Sequence, residues 1–356
     1  MMIIPPDIFI NKPLKSSDYA IFQAIQNSEH ILYEEYSNFH KVIVVENQYG
    51  RFLKFGSSYQ AGYFKHKKYF GNIPYINYFL LSAALNSDIK DVLVLGLGTG
   101  SLIKSLFQVL PSIKKVDVVE IDPLIYNVAH TYFDFKHNEK TNIIIQDARV
   151  FIRNDKSTYD LIIVDLFSED GVDLRFLTQE FLREIRSRLN PTGILASNNF
   201  SSAKIENVDN IIFRSIVKTY YSVFEDVLLF PTRYGNYLLF ENLYGLKNSP
   251  NDYTNVIIFG LKGLGNTTLS HLLDNVLAIK NVVKNNETRF IDKYVYDLYR
   301  LKLDLSDVDI LKDSFYDEND IDFKKPKDVL YIDHKDNIQM DKINLVVDEN
   351  KSKKSE

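Results

Sequence analysis

Residues Asp91–Asp122, DVLVLGLGTGSLIKSLFQVLPSIKKVDVVEID, constrain the fold of this chain more than any other stretch. An apolar β-branched run, Val92–Leu95, ends in Gly96-Leu97-Gly98-Thr99-Gly100. A segment with helical apolar spacing follows, and a second apolar run, Val116–Val119, stops on Glu120. That pattern is one βαβ unit with a glycine-rich first turn and an acid at the tip of its second strand. Gly96, Gly98 and Gly100 allow a sharp turn and a close approach of backbone to ligand. Glu120 stands 22 residues after Gly98, where a carboxylate accepts hydrogen bonds from the two hydroxyls of a ribose. A nucleoside-containing ligand is therefore expected.

Two further acids complete the pattern. Gln146-Asp147-Ala148 ends the run IIIQ, and Asp147 is placed to accept the exocyclic amine of an adenine. An Asp at that point also caps the helix expected over 148–153, and the two roles are compatible. Asp165 ends YDLIIVD and should point into the crevice above the carboxyl ends of the strands, where open α/β sheets bind ligands.

Strand patterns recur at 92–95, 116–120, 143–146, 161–165, 193–198, 225–230 and 236–241, alternating with helical patterns at 101–109, 123–133, 147–153, 178–189 and 206–220. Ahead of them, HKVIVVEN, RFLKFG and SSYQAGYF are short runs split by glycine turns, which predicts a small antiparallel sheet. Residues 73–86 read as a helix with Pro74 in its first turn. The expected organisation is an N-terminal segment and small β domain over 1–72, and a Rossmann-like nucleoside-binding catalytic domain over 73–245. A C-terminal α/β extension without an assigned role follows over 246–345, then a disordered charged tail over 346–356. Val256–Ser270 imitates a phosphate-binding loop, but Asn266 stands where the lysine is needed, so a turn with a helix N-cap is expected there.

Composition narrows the function. A net charge of −5 with no basic stripe argues against a nucleic-acid partner. With no cysteine, disulfides, thiolate metal sites and cysteine nucleophiles are excluded. The seven histidines show no ligand spacing, so no metal is expected. The N-terminus lacks a charged region leading into a long apolar one, and the longest apolar stretch falls far short of the ~20 residues of a membrane span. No signal peptide or membrane association is expected, and the expected location is the cytoplasm.

VLVLGLGTGSLIKSLFQVLPSIKKVDVVEIDPLIYNVAHTYF and YDLIIVDLFSEDGVDLRFLTQEFL resemble the spermidine synthase (polyamine aminopropyltransferase) superfamily, in its divergent branch, and HKVIVVENQYGRFLKFGSSYQAGYF is similar to the family's small β domain. The resemblance covers residues 36–242. It implies a class I S-adenosylmethionine methyltransferase-like Rossmann fold with a seven-stranded sheet. It also implies a homo-oligomer, expected to be a dimer, that binds decarboxylated S-adenosylmethionine or S-adenosylmethionine as group donor and a small-molecule amine as acceptor. On the matching positions, Gln60, the glycine turn, Glu120, Asp147 and Ala148 would hold the nucleoside. Asp165 would serve the attacking amine, and Tyr75 would contact the substrate.

The chain also departs from the family. Thr99 and Ser168 stand where aminopropyltransferases carry acids, and Ile76 follows Tyr75 where a histidine or glutamine is usual. A carboxylate gives an ammonium a charge-assisted hydrogen bond worth roughly 1.5–3 kcal/mol. Ser168 with Glu169 is the replacement expected to meet the substrate. A neutral Thr99 would also admit a donor that keeps its α-carboxylate. Aminopropyl transfer to an amine such as putrescine is the reading made from the sequence; an S-adenosylmethionine-dependent N-methyltransferase and a catalytically silent protein of the same fold are its alternatives.

Overall fold

The computed structural model describes residues 28–65, 74–168, 171–202, 204–233, 253–265, 267–283, 288, 291–315 and 330–332. Four strands, β1 (His30–Tyr36), β2 (Lys41–Glu46), β3 (Gly50–Phe55) and β4 (Ser58–Phe64), form an antiparallel sheet in sequence order. Val42, Val44, Phe52, Leu53 and Phe64 are buried in it, so most of β2–β4 is covered. The expected small β domain is present.

Next come two short helices, α1 (Ile76–Phe79) and α2 (Ser82–Leu85), where the periodicity predicts one helix over 73–86. Tyr78, Phe79, Leu80 and Leu81 have no exposed surface, so this segment is buried all round instead of presenting one face.

The main domain follows as β5 (Asp91–Leu95), α3 (Ser101–Val109), β6 (Lys115–Glu120), α4 (Pro123–Tyr132), β7 (Thr141–Ile145), α5 (Ala148–Asn154) and β8 (Tyr159–Val164). A two-residue pair, β9 (Phe167–Ser168) and β10 (Gly171–Val172), precedes α6 (Gln179–Ser187), β11 (Leu189–Ser202), α7 (Ile211–Tyr221), β12 (Asp226–Pro231) and β13 (Tyr253–Leu261). The sheet runs β12-β13-β11-β8-β5-β6-β7, parallel from β11 to β7 and antiparallel where β13 pairs with both β11 and β12. A last short strand, β14 (Leu330–Ile332), adds antiparallel to β7. Between β13 and β14 lie helices α8 (Leu269–Val282) and α9 (Ile291–Tyr294) and 3-10 turns at Val295–Asp297 and Asp313–Phe315. Val92–Leu95, Leu161–Ile163 and Ile194–Ala196 are fully buried, the continuous apolar signature of parallel strands covered on both faces. This is the seven-stranded class I methyltransferase-like arrangement, with one extra strand at its edge.

The strand expected at 236–241 and the tail expected at 346–356 lie outside the described residues. One other expectation meets a different outcome. The antiparallel strand between β11 and β12 is Tyr253–Leu261, which the sequence reading leaves in the C-terminal extension. Val256–Ser270 is a strand, a turn and a helix N-cap: Thr268 accepts from the His271 N–H at 3.2 Å. Among the described residues, no helix is long and apolar enough to cross a membrane.

Candidate active site

Register places the chemistry. Leu95 pairs with Val119 and with Val164, and Val164 pairs with Ser197. The residues that follow, Gly96, Glu120, Asp165 and Asn198, therefore form one row along the carboxyl edge of the sheet. There the backbone ladder ends and side chains face the crevice. A cavity opens over this row. Its wall includes Gln60 from β4, Tyr75 ahead of α1, Gly96 and Gly98, Glu120, Asp147 and Ala148, and Asp165. Residues spread over 106 positions in the sequence thus converge on one site.

Each member is held by identifiable contacts. Glu120 is 9% exposed; its Oε2 accepts from the Leu97 N–H at 3.0 Å, and its Oε1 accepts from the Asp122 N–H at 3.0 Å. One carboxylate thus fastens the glycine turn to the end of β6, and each oxygen keeps lone-pair capacity for a further donor. Burial pushes its carboxyl up to about 7, against the backbone hydrogen bonds that favour the ionised form. Asp147 caps α5, its Oδ1 accepting from the Arg149 and Val150 N–H groups at 2.8 and 2.9 Å, while its side chain lines the cavity. The cap and the cavity position coexist.

The glycines divide in their work. Gly96 has φ +97°, and a Cβ there would lie 2.5 Å from the Asp165 carbonyl oxygen, so only glycine lets β5 and β8 approach at this point. Gly98 lies in the cavity wall. Gly100, expected beside the ligand, is turned elsewhere: it ends the turn at φ +72°, and a Cβ would lie 2.2 Å from the Phe135 ring. Its smallness serves packing of the turn against Phe135.

Asp165 has two side-chain partners. Tyr75 donates its hydroxyl to Oδ2 at 2.8 Å, and Asn198 donates Nδ2–H to Oδ1 at 3.0 Å. Burial raises the Asp165 carboxyl above the ordinary range, opposed by the Asn198 hydrogen bond. Thr99 is 2% exposed, with its hydroxyl 2.8 Å from the Ser101 hydroxyl, so a neutral pair stands in this part of the wall. Of the loop after β8, Ser168 is described as backbone in β9, and Glu169 lies outside the described residues.

Sequence reasoning missed several wall residues. Phe39, His40 and Phe55 supply an aromatic surface, the His40 and Phe55 rings stacking at 4.0 Å. Asp173 and Arg175 also line the cavity, paired to each other at 2.8 Å. Asn198 had a legible signal: in Leu195-Ala196-Ser197-Asn198-Asn199 an apolar strand turns polar where a parallel strand reaches the crevice.

Comparison with known proteins agrees with this geometry. The spermine/spermidine synthase domain matches residues 79–242. The polyamine aminopropyltransferase of Vibrio vulnificus (strain CMCP6) is 29% identical over 229 residues, covering 61% of this chain and 74% of that protein. The polyamine aminopropyltransferase of Clostridium botulinum (strain Eklund 17B / Type B) is 30% identical over 192 residues, covering 52% of this chain and 65% of that protein. Among solved structures, a spermidine synthase in complex with the transition-state analogue AdoDATO superposes with a TM-score of 0.52 at 17% identity. That match covers 66% of this chain and 74% of the other, and it speaks for the fold. Over residues 79–242 the chain is thus similar to the spermine/spermidine synthase domain and to polyamine aminopropyltransferases, and the solved structure agrees with it in fold.

Proposed function

We propose that the chain transfers an aminopropyl group from decarboxylated S-adenosylmethionine to an amine such as putrescine. The observation that carries this reading is the Tyr75–Asp165 hydrogen bond in the wall of the cavity that also holds Glu120 and Asp147. It puts a buried acid beside a nucleoside-shaped set of acceptors. The donor's sulfonium supplies an electrophilic carbon and leaves as a neutral thioether, methylthioadenosine. The protein supplies position and a proton acceptor. Glu120 would take the ribose hydroxyls, Asp147 the adenine amine, and Gln60 the nucleoside from the β-domain side. Asp165, held by Tyr75 and Asn198, would accept a hydrogen bond from the amine. Its nitrogen lone pair forms the new C–N bond as the C–S bond breaks, and the amine proton passes to Asp165 or to water. A homodimer acting in the cytoplasm goes with this reading.

The test is incubation of the full chain with putrescine and either decarboxylated S-adenosylmethionine or S-adenosylmethionine, with products read by mass spectrometry. Aminopropylated amine with an equal amount of methylthioadenosine is expected. Methylated amine with S-adenosylhomocysteine would replace this reading by the methyltransferase one, which the neutral Thr99–Ser101 pair favours. Absence of any product with a range of amines would leave the silent protein.

A further inference from the structure

We infer that Asn255, on β13, is a positioning residue that sets the orientation of the Asn198 amide and through it the proton affinity of Asp165. Asn255 donates Nδ2–H to the Asn198 Oδ1 at 2.9 Å, and Asn198 donates Nδ2–H to the Asp165 Oδ1 at 3.0 Å. The arrangement follows from the sheet. Asn198 pairs with Ile257, so Asn255 is its diagonal neighbour on the same face of the antiparallel β11–β13 pair. Both amides are closed off from water, at 3% and 2% exposure, so their hydrogen bonds are made within the protein.

The polarity of this relay is fixed by chemistry. An ionised carboxylate only accepts, so Asn198 must turn its NH2 group toward Asp165 and its oxygen toward β13. That oxygen then requires a donor, which Asn255 provides. An asparagine amide is nearly symmetric in shape, so without a donor on its far side only the Asp165 carboxylate would favour this orientation, and the Asn198 oxygen would be left buried without its donor. Reversed, it would set an oxygen against the Asp165 carboxylate and favour the protonated acid. A base must be ionised to take a hydrogen bond from an amine, so a residue from β13 holds the acid on β8 in its working state.

Tyr75 is the titratable group in contact with Asp165 from the α1 side. The partner on β11 and its diagonal neighbour on β13 are neutral amides, and the adjoining turn from β5 contributes glycine and Leu97. His40, Glu120, Asp147, Asp173 and Arg175 line the same cavity, Asp173 and Arg175 as a pair. Glu169 and Asp170 follow in the loop after β8, outside the described residues.

This inference rests on the proposed function only for what Asp165 does in turnover, so its test does not use turnover. The full chain, labelled with 13Cγ aspartate, is titrated by NMR, with the Asp165 resonance assigned by its loss in Asp165→Asn. Asn255→Asp keeps the shape of the side chain and, once ionised, offers only acceptors. It is expected to raise the Asp165 midpoint by about one pH unit, the size of change that losing a hydrogen bond to the ionised form produces. Asn255→Leu removes the donor without adding a charge and is expected to move the midpoint in the same direction by less. An unmoved midpoint in both variants, folded by circular dichroism, would overturn the relay. If Asn255→Leu does not fold, Asn255→Ala, which also removes the donor without adding a charge, takes its place. If wild type also proves active, the acid limb of its kcat/KM profile should follow the NMR midpoint. Lack of turnover with a shifted midpoint would reject the proposed function and keep the relay.

Discussion

Glu120 makes nucleoside binding depend on pH, and the size of the effect follows from its surroundings. Its two oxygens hold the Leu97 and Asp122 N–H groups, and burial carries its carboxyl to about 7. Ribose hydroxyls donate to an ionised carboxylate, so the binding-competent form is the deprotonated one. For a group titrating at about 7, roughly one molecule in ten is ionised at pH 6 and about nine in ten at pH 8. Methylthioadenosine should therefore bind about tenfold more tightly at pH 8 than at pH 6, releasing close to one proton per site at pH 6. Titration calorimetry in two buffers of different ionisation enthalpy measures both quantities. The free protein responds in the opposite direction. Its carboxyl titrates above the unfolded value of 4.5, so the stabilising protonation is fully present below 4.5 and is lost as pH rises to about 7. At most this amounts to roughly 3 kcal/mol. Methylthioadenosine should consequently raise the melting temperature more at pH 8 than at pH 6. Glu120→Gln places an amide NH2 against one of the two backbone donors, so it should weaken binding by 10-fold or more and flatten the pH dependence. Equal affinities at pH 6 and pH 8, with no proton released, would mean that Glu120 does not receive the ribose as a buried carboxylate titrating near 7.

Other substitutions separate chemistry from binding and from folding. Asp165→Asn should abolish aminopropyl transfer while leaving methylthioadenosine affinity within about twofold in calorimetry, since the nucleoside acceptors are elsewhere; retained turnover would remove Asp165 from the mechanism. Tyr75→Phe deletes the 2.8 Å bond to Asp165 and should lower kcat/KM for the amine by about 10-fold, the equivalent of a bond of roughly 1.5 kcal/mol to a charged group, with donor KM unchanged. Gly96→Ala must move β8, because the new Cβ would meet the Asp165 carbonyl at 2.5 Å with φ at +97°. A loss of about 2 kcal/mol or more in urea unfolding is expected. Arg214→Met removes the four hydrogen bonds of a buried guanidinium, one each to the Asp304 and Val208 carbonyls and two to the Asp307 carboxylate, and should cost about 2–4 kcal/mol in the same experiment.

How much of this was legible in the sequence depended on distance along the chain. The βαβ unit and the acid-tipped strands could be read because each signal is local: a fully buried parallel strand is a continuous apolar run, and its end is marked by the first polar residue. Glu120, Asp147 and Asp165 were found that way, and parallel register then set them at one edge. The departure at Gly100 was not legible, since its contact with Phe135 spans 35 residues and a glycine looks alike in both uses. Nor was the place of Tyr253–Leu261. Its apolar run announces a strand, but only long-range pairing inserts it between β11 and β12 and sets Asn255 diagonal to Asn198. Arg175 and Asp173 carry no local mark that distinguishes a pocket pair from a solvated one.

The central claim is that the crevice over β5, β6 and β8 receives a thioadenosine. A crystal structure of the full chain with methylthioadenosine tests it most directly. Both ribose hydroxyls should lie on the Glu120 carboxylate, the adenine amine at Asp147, and the sulfur facing Asp165. A ligand seated elsewhere on the protein, or a crevice that stays closed by its own side chains at saturating ligand, would contradict it.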